Sequence, residues 1–390
     1  MHRILSLISA TALSVTAVSG YTTVGDLKFE IATYSQIDER GAAFRGLIPE
    51  STLKGVVLPI TVTFGGPDDW FNPVPETLEV KSVIGMKGWD GETFSMPNTV
   101  RYILSEAFKD CTNLTDINLS SQLLSIEEEA FMNCTSLPYM IFPDALDGIS
   151  LRAFSGCTGL SYIHLGAKTR IIYESSFEGC TSLHTATLGQ SLEKIGRFCF
   201  AKCSSLSKIS IPSTVTLMQS YCFQDCSALS EVRLPSNLET IDQGAFSGCY
   251  NIKAVYLPAM TPPAARDYGQ PFAIFTDEVF SNATLYVPVG TKDRYQCATM
   301  WLNFNHIEEM DFAGLQAIEA EGARQFEVTC LDNTIVIRTD EICASPKIYN
   351  SEGKEIASRP IGDSTYVTLP LTSGIYIVSS GNQSQKILVK

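Results

Sequence analysis

The chain has 390 residues, of which 18% are charged and 45% hydrophobic, and its formal net charge is −14. That balance is globular and not disordered, and the length predicts two or three domains. The acidic sum, with no basic cluster against it, excludes nucleic acid as a partner, because that binding needs a positive footprint.

The first element is "MHRILSLISATALSVTAVSG", residues 1–20. One early Arg precedes an apolar run, and small residues close it at Ala17, Ser19 and Gly20, the pattern of a cleaved export signal. The run is short and dotted with Ser and Thr, below the ~20 strongly apolar residues of a membrane span. No Cys follows the small residues, so an acylated N-terminus is not predicted. Residues 21–103 read as an N-terminal cap with degenerate repeats. "VVLPITVTF" is its clearest strand and "LEVKSVIGM", residues 78–86, another. An open solenoid end exposes a strand edge and needs such a cover.

Residues 104–258 repeat at an interval of 23 without an insertion. One column is Phe108, Phe131, Phe154, Phe177, Phe200, Phe223 and Phe246. A second is Cys111, Cys134, Cys157, Cys180, Cys203, Cys226 and Cys249, and a third runs from Leu114 to Ile252. Ile117 and Leu119 begin two more, and Ile126 opens another. Repetition of this length means a solenoid. The alternation of 117 and 119 makes a short strand with one face inward, ended soon after by Pro143, Pro212, Pro235 or Pro258. The Ile126 column turns inward again along the back. Between them "xxAFxxC" carries a small residue before each Phe (Ala107 to Ala245, with Cys199 and Cys222 among them) and reads as a short helical turn. One coil buries too little to fold alone, so stability comes only from stacking.

An exported chain with 12 Cys invites a disulfide framework. The spacing argues otherwise: a column of thiols pointing one way has poor disulfide geometry, and a free thiol is a small side chain suited to a core. No metal site is predicted from Cys199/Cys203, Cys222/Cys226 or His184.

The pattern "LxxIxLPxxLxxIxxxAFxxC" resembles the BspA-like leucine-rich repeats of exported bacterial surface proteins. The resemblance implies a binding scaffold with roles in adhesion to host proteins or other cells, and leaves the ligand open. Residues 259–310 read as the C-terminal cap. "ATLYVPVG" is a final strand, and "TKDRYQCATMWLNF" a helix capped by Thr291, with Tyr295 and Trp301 covering the apolar end. Residues 311–325 read as a linker. Residues 326–390 hold short strands with turn signals at "NSEGK" and "SSGNQ", a small antiparallel β-sandwich. This tail resembles the C-terminal sorting domains of the type nine secretion pathway, in "GIYIV" and its Lys-containing last strand. That implies passage to, or attachment at, the outer-membrane surface of a Gram-negative bacterium. An accessory sandwich without a sorting role is the other reading.

No catalytic constellation is present: no Gly-rich phosphate loop, nucleophile elbow or His-Glu-x-x-His. No enzyme activity and no cofactor are expected. The residues flanking the Ile117 column must face outward on the concave sheet, which offers Tyr139, Ile141, Tyr162, His164, Lys208, Arg233 and Tyr256 as a binding surface for a protein or a glycan. Two rival readings stand: these residues merely pair across strands, or the chain is a structural part of the envelope. A glycan-acting enzyme would need a facing carboxylate pair, which the sequence does not locate.

Overall fold

In the computed structural model, residues 82–266 and 273–312 are described throughout; outside them the description covers the backbone of the strands named below and a scatter of side chains. The export segment lies outside the described residues but for the backbone of Ala17–Val18, and residues 313–325 of the linker lie outside them too.

The repeat columns become the axis of a parallel-strand solenoid. Each coil contributes a front strand of three residues, such as Asp116–Asn118 or Tyr162–His164, and a back strand such as Ser125–Ile126 or Ile171–Ile172. The back strands form a run of nine, from Glu76–Val83 to Ala264–Arg266, all parallel, within a 14-stranded sheet that continues past Glu76–Val83 into Glu39–Leu47, Leu27–Tyr34, Tyr21–Val24 and Ala17–Val18. The front strands fall into three sheets. Gly55–Val57, Thr93–Ser95 and Asp116–Asn118 form the first; Tyr139–Ile141, Tyr162–His164 and Thr185–Thr187 the second. The third runs Lys208–Ser210, Glu231–Arg233, Ala254–Tyr256, Thr284–Pro288 and His306–Met310.

The first gap in the front ladder has a chemical cause. Just before the strand, the N–H groups of Thr115, Ser161 and His184 donate to the coil behind, to Glu92, Pro138 and Ser161. Pro138 fills the equivalent place in its own coil and has no N–H to give. Nothing in the structure explains the second gap, between Thr187 and Lys208.

The segment read from sequence as a helical turn is not helical. Along this segment the N–H groups alternate, as the first regular coil shows. Those of Ala107, Lys109 and Cys111 close turns onto Leu104, Glu106 and Phe108, while those of Glu106, Phe108 and Asp110 cross to Glu128, Ala130 and Met132 of the next coil. The backbone does this by entering the left-handed region twice per coil. One column is Glu106, Glu129, Arg152, Ser175, Phe198, Tyr221 and Gly244; the other is Asp110, Asn133, Gly156, Gly179, Lys202, Asp225 and Gly248, with φ from 52° to 77°. Left-handed residues end a right-handed helix, and Asn, Asp and Gly reach that conformation at least cost.

Crossing bonds of 2.7–2.9 Å at the Phe column set the spacing of the rings. From Phe108 to Phe246 successive rings are nearly parallel, 4.9–5.4 Å apart and 4–11° from coplanar, and Phe275 continues the stack at 5.0 Å. Phe94 closes the other end edge-on at 4.8 Å. All seven column Phe side chains are fully buried. The Cys column explains itself by a second contact. Each thiol donates to the carbonyl of the Phe one coil back: Cys134 to Phe108 at 3.1 Å, Cys157 to Phe131 at 3.0 Å, Cys180 to Phe154 at 3.3 Å, and so on to Cys249 with Phe223 at 3.0 Å. Cys111 uses Met86 at 2.9 Å. A thiol fills the apolar gap and still gives that carbonyl a donor, which Ala or Val cannot do. Burial pushes Cys111 up to about 12 and also raises the buried thiols Cys180, Cys199 and Cys203 well above the ordinary thiol range. Among the described residues every cysteine is free, and nine of them are buried.

The two ends differ from plain coils. At the start, Val56 and Leu58 occupy the inward places that Phe94 and Met96 take in the next coil, with the antiparallel pair Thr61–Phe64 and Glu76–Val83 intervening. "VVLPITVTF" is therefore two strands. At the far end the helix is shorter than the sequence suggests, Lys292–Gln296 followed by a 3-10 turn at Trp301–Asn303. Thr291 does not cap it: its hydroxyl donates to the Pro288 carbonyl at 2.7 Å. Glu309 accepts from the N–H groups of Gly290 and Lys292 instead, at 2.9 and 3.1 Å. Tyr295 and Trp301 are buried, and bond Ala259 and Pro263 carbonyls at 2.7 and 2.9 Å. They close the core together with Phe280 and Phe304, whose rings meet Phe275 edge-on.

Beyond residue 325 two four-stranded antiparallel sheets form. One runs Phe326–Leu331, Thr334–Thr339, Thr365–Thr368, Ser358–Pro360; the other runs Glu355–Ile356, Lys347–Asn350, Gly374–Ser380, Gln383–Val389.

Two outcomes test this core. Phe177→Ala, in the middle of the ring stack, should cost ~3–5 kcal/mol in denaturant melts; a loss under about 1 kcal/mol would remove Phe177 from the core. In the native chain a water-soluble thiol reagent should modify at most Cys297, Cys330 and Cys343, with the other nine of the 12 cysteines appearing only on unfolding.

Candidate functional site

A front strand buries its middle residue and turns its two neighbours to the outer face. Stacking in register makes these neighbours into two continuous rows, so the sequence decides only what each row displays. Across the second sheet Tyr139 aligns with Tyr162 and Thr185, and Ile141 with His164 and Thr187. The sequence-predicted group is thus brought together as expected, but it is not exposed. Ile141 is 3%, Tyr162 6% and His164 5% accessible, and only Tyr139 is half-buried, donating to Asp116 Oδ1 at 3.2 Å. Adjacent strands stand ~4.8 Å apart. Four bulky side chains in a block two by two therefore shield one another, whereas the smaller Thr185 and Thr187 beside them remain half-buried. Tyr139, Tyr162 and His164 each take part in further interactions. This block is a packed part of the wall and not an open platform.

The other predicted residues, Lys208, Arg233 and Tyr256, lie on consecutive strands of the third sheet and form one connected group with Glu231, an outward-facing neighbour of the Ile117 column, and with Tyr286, which the sequence reading missed. Arg233 Nε donates to Glu231 Oε1 at 2.9 Å, and Lys208 Nζ stands 4.0 Å from Glu231 Oε2. The Arg233 guanidinium sits 5.3 Å from the centre of the Tyr256 ring, within cation–π range. Tyr256 in turn stacks on Tyr286, 4.9 Å away and 11° from parallel. Burial first, then the Glu231 carboxylate and the Tyr286 phenol, push the Tyr256 phenol up, and Arg233 opposes them. Tyr286 belongs to the row because Thr284–Pro288 aligns with Ala254–Tyr256, Tyr256 opposite Tyr286. The signal was there in "AVYLP" and "TLYVP"; the longer segment between them broke the interval and hid the match. Glu308 follows in the same row.

Beside this line Ala254 and Thr284 are small, so the outer face steps down between the Lys208–Glu231 pair and His306. The group offers a cation, an anion, phenolic edges and a shallow floor, the means to hold a polar or aromatic side chain or a sugar hydroxyl. Among the described residues no group of three or more His, Cys, Asp or Glu could hold a metal ion.

Set beside known proteins, the coils match the BspA type leucine rich repeat region in six copies, over residues 87–169 and 149–262. No curated protein matches the chain. Among solved structures it is similar to a leucine-rich repeat protein from Bacteroides ovatus, at 19% identity over 72% of this chain and 75% of that one, with a TM-score of 0.49. It is also similar to a leucine-rich repeat protein of T. pallidum, at 23% identity over 59% and 81% of the two chains and a TM-score of 0.32. A leucine rich cell surface protein of Faecalibacterium prausnitzii matches at 16% identity over 80% and 98%, with a TM-score of 0.28. The stack of coils is a leucine-rich-repeat solenoid whose repeat region is similar to the BspA type.

Proposed function

We propose that this chain is a non-enzymatic, exported surface protein that holds a protein or glycan partner on the front face of its solenoid, in the manner of an adhesin. The observation that carries the reading is the Lys208–Glu231–Arg233–Tyr256–Tyr286 line. Arg and Tyr side chains anchored on a regular ladder are the composition of interaction hot spots, and a stacked scaffold presents them with little entropy left to lose on binding. The buried block of Tyr139, Ile141, Tyr162 and His164 belongs to the neighbouring second sheet and closes the wall there. Partners cross-linked on intact cells, or found on a glycan array and a panel of matrix proteins, should bind the Arg233→Ala, Tyr256→Ala double variant at least tenfold more weakly, with its melting curve retained. An unchanged affinity removes the front face from the reading.

Residues 326–390 complete the proposal as a β-sandwich that directs the chain to the outer-membrane surface. The two antiparallel sheets support the sandwich, and the resemblance of "GIYIV" and the last strand supports the sorting role. Among the described residues no helix is long and apolar enough to cross a membrane. A chain ending at residue 325 should then be retained inside the cell envelope on fractionation; normal surface display of that chain would leave the sheets as accessory structure.

A further inference from the structure

The front ladder ends on a strand with one side unused. His306–Met310 pairs with Thr284–Pro288 through all five of its residues, and among the described residues no strand pairs with its other side. Behind it the apolar core is closed by Trp301, Tyr295, Phe280 and Phe304, so the open element here is the backbone itself, a row of N–H and C=O groups able to template another strand. The strand is also longer than the three-residue front strands of the regular coils, which gives an added strand a longer hold.

The side chains state what such a strand would be. His306, Glu308 and Glu309 are exposed. Glu309 is occupied by the N–H groups of Gly290 and Lys292. Glu308 stands on the front face in the row of Arg233, Tyr256 and Tyr286. A second copy pairing antiparallel through the middle of the strand would set Glu308 against Glu308, and like charges directly opposite are destabilising. The same place favours a cation. On the inward face the row of Leu285 and Ile307 ends at this edge and would be continued by an apolar residue.

We propose that the edge His306–Met310 receives, as an added strand, an extended segment of another protein in which basic and apolar residues alternate, the basic ones beside Glu308 and the apolar ones continuing the row of Leu285 and Ile307. This contact is made by backbone at the end of the sheet and does not depend on the Arg233–Tyr256 group.

The full chain titrated against a fluorescein-labelled six-residue peptide of alternating Lys and Val should raise its anisotropy, and hydrogen exchange should slow at residues 306–310. Glu308→Lys should weaken that peptide at least fivefold and admit the alternating Glu and Val counterpart, while Glu174→Lys, an equal change of charge on an exposed turn, should leave the affinity within twofold. The double variant Arg233→Ala, Tyr256→Ala should bind the peptide as the parent does. Protection elsewhere or nowhere, or equal weakening by Glu308→Lys and Glu174→Lys, overturns the proposal, the latter because it would show simple attraction to an acidic protein.

Discussion

The carbonyl of each column Phe is where the coils are fastened together. From Phe108 to Phe223 it accepts the N–H of the Cys three residues on in its own coil and the thiol of the Cys in the next, as Phe108 does from Cys111 and Cys134. The Phe N–H meanwhile reaches forward to the small residue of the following coil, and at the last coil from Phe246 to Ile274. These bonds leave no freedom in the rise from coil to coil. The rings obey that rise: free aromatic pairs also adopt edge-to-face geometry, yet along the column they lie parallel, because identical backbones repeat at the separation the hydrogen bonds impose. Edge-to-face contacts appear where the column ends, at Phe94 and around Phe275, and where Phe142 meets the stack from the side at Phe154 and Phe177.

The same regularity produces the front face. A row is made wherever outward residues stack in register, and what a row displays depends on the size and charge of each member relative to its two neighbours. Large beside large gives a closed wall, as at Tyr139, Ile141, Tyr162 and His164. A charged or aromatic residue beside Ala254 or Thr284 gives relief. Lys208, Glu231, Arg233, Tyr256 and Tyr286 thereby remain reachable while holding one another in place.

Much of this was legible in the sequence. The seven-fold columns of Phe and Cys predict both their burial and the free thiols, because a side chain that recurs at one interval must meet its own copies. Burial on the outer face was not legible, because it depends on who stands in the adjacent coil and not on inward or outward direction alone. The helical reading of "xxAFxxC" failed for a related reason: short-range spacing resembles a helical turn, but every second N–H is bonded to the next coil, and two left-handed residues accommodate this. Thr291 looked like a helix cap by type and position, and lost that place to Glu309, a residue close only in the fold. The gap at Pro138 was readable in principle, since a missing donor is a property of the residue; the gap after Thr187 has no such mark.

The contrast between the two ladders gives the solenoid a direction of compliance. The back runs through nine strands without interruption, while the front is divided twice. A load that pulls the coils apart meets a continuous spine on one side and two seams on the other. The seams should part first, with the back ladder acting as the leaf of a hinge, while the backbone and thiol bonds at the Phe column, which cross both seams, keep the coils joined. Yielding at fixed points on one face lets the stack bend without coming apart.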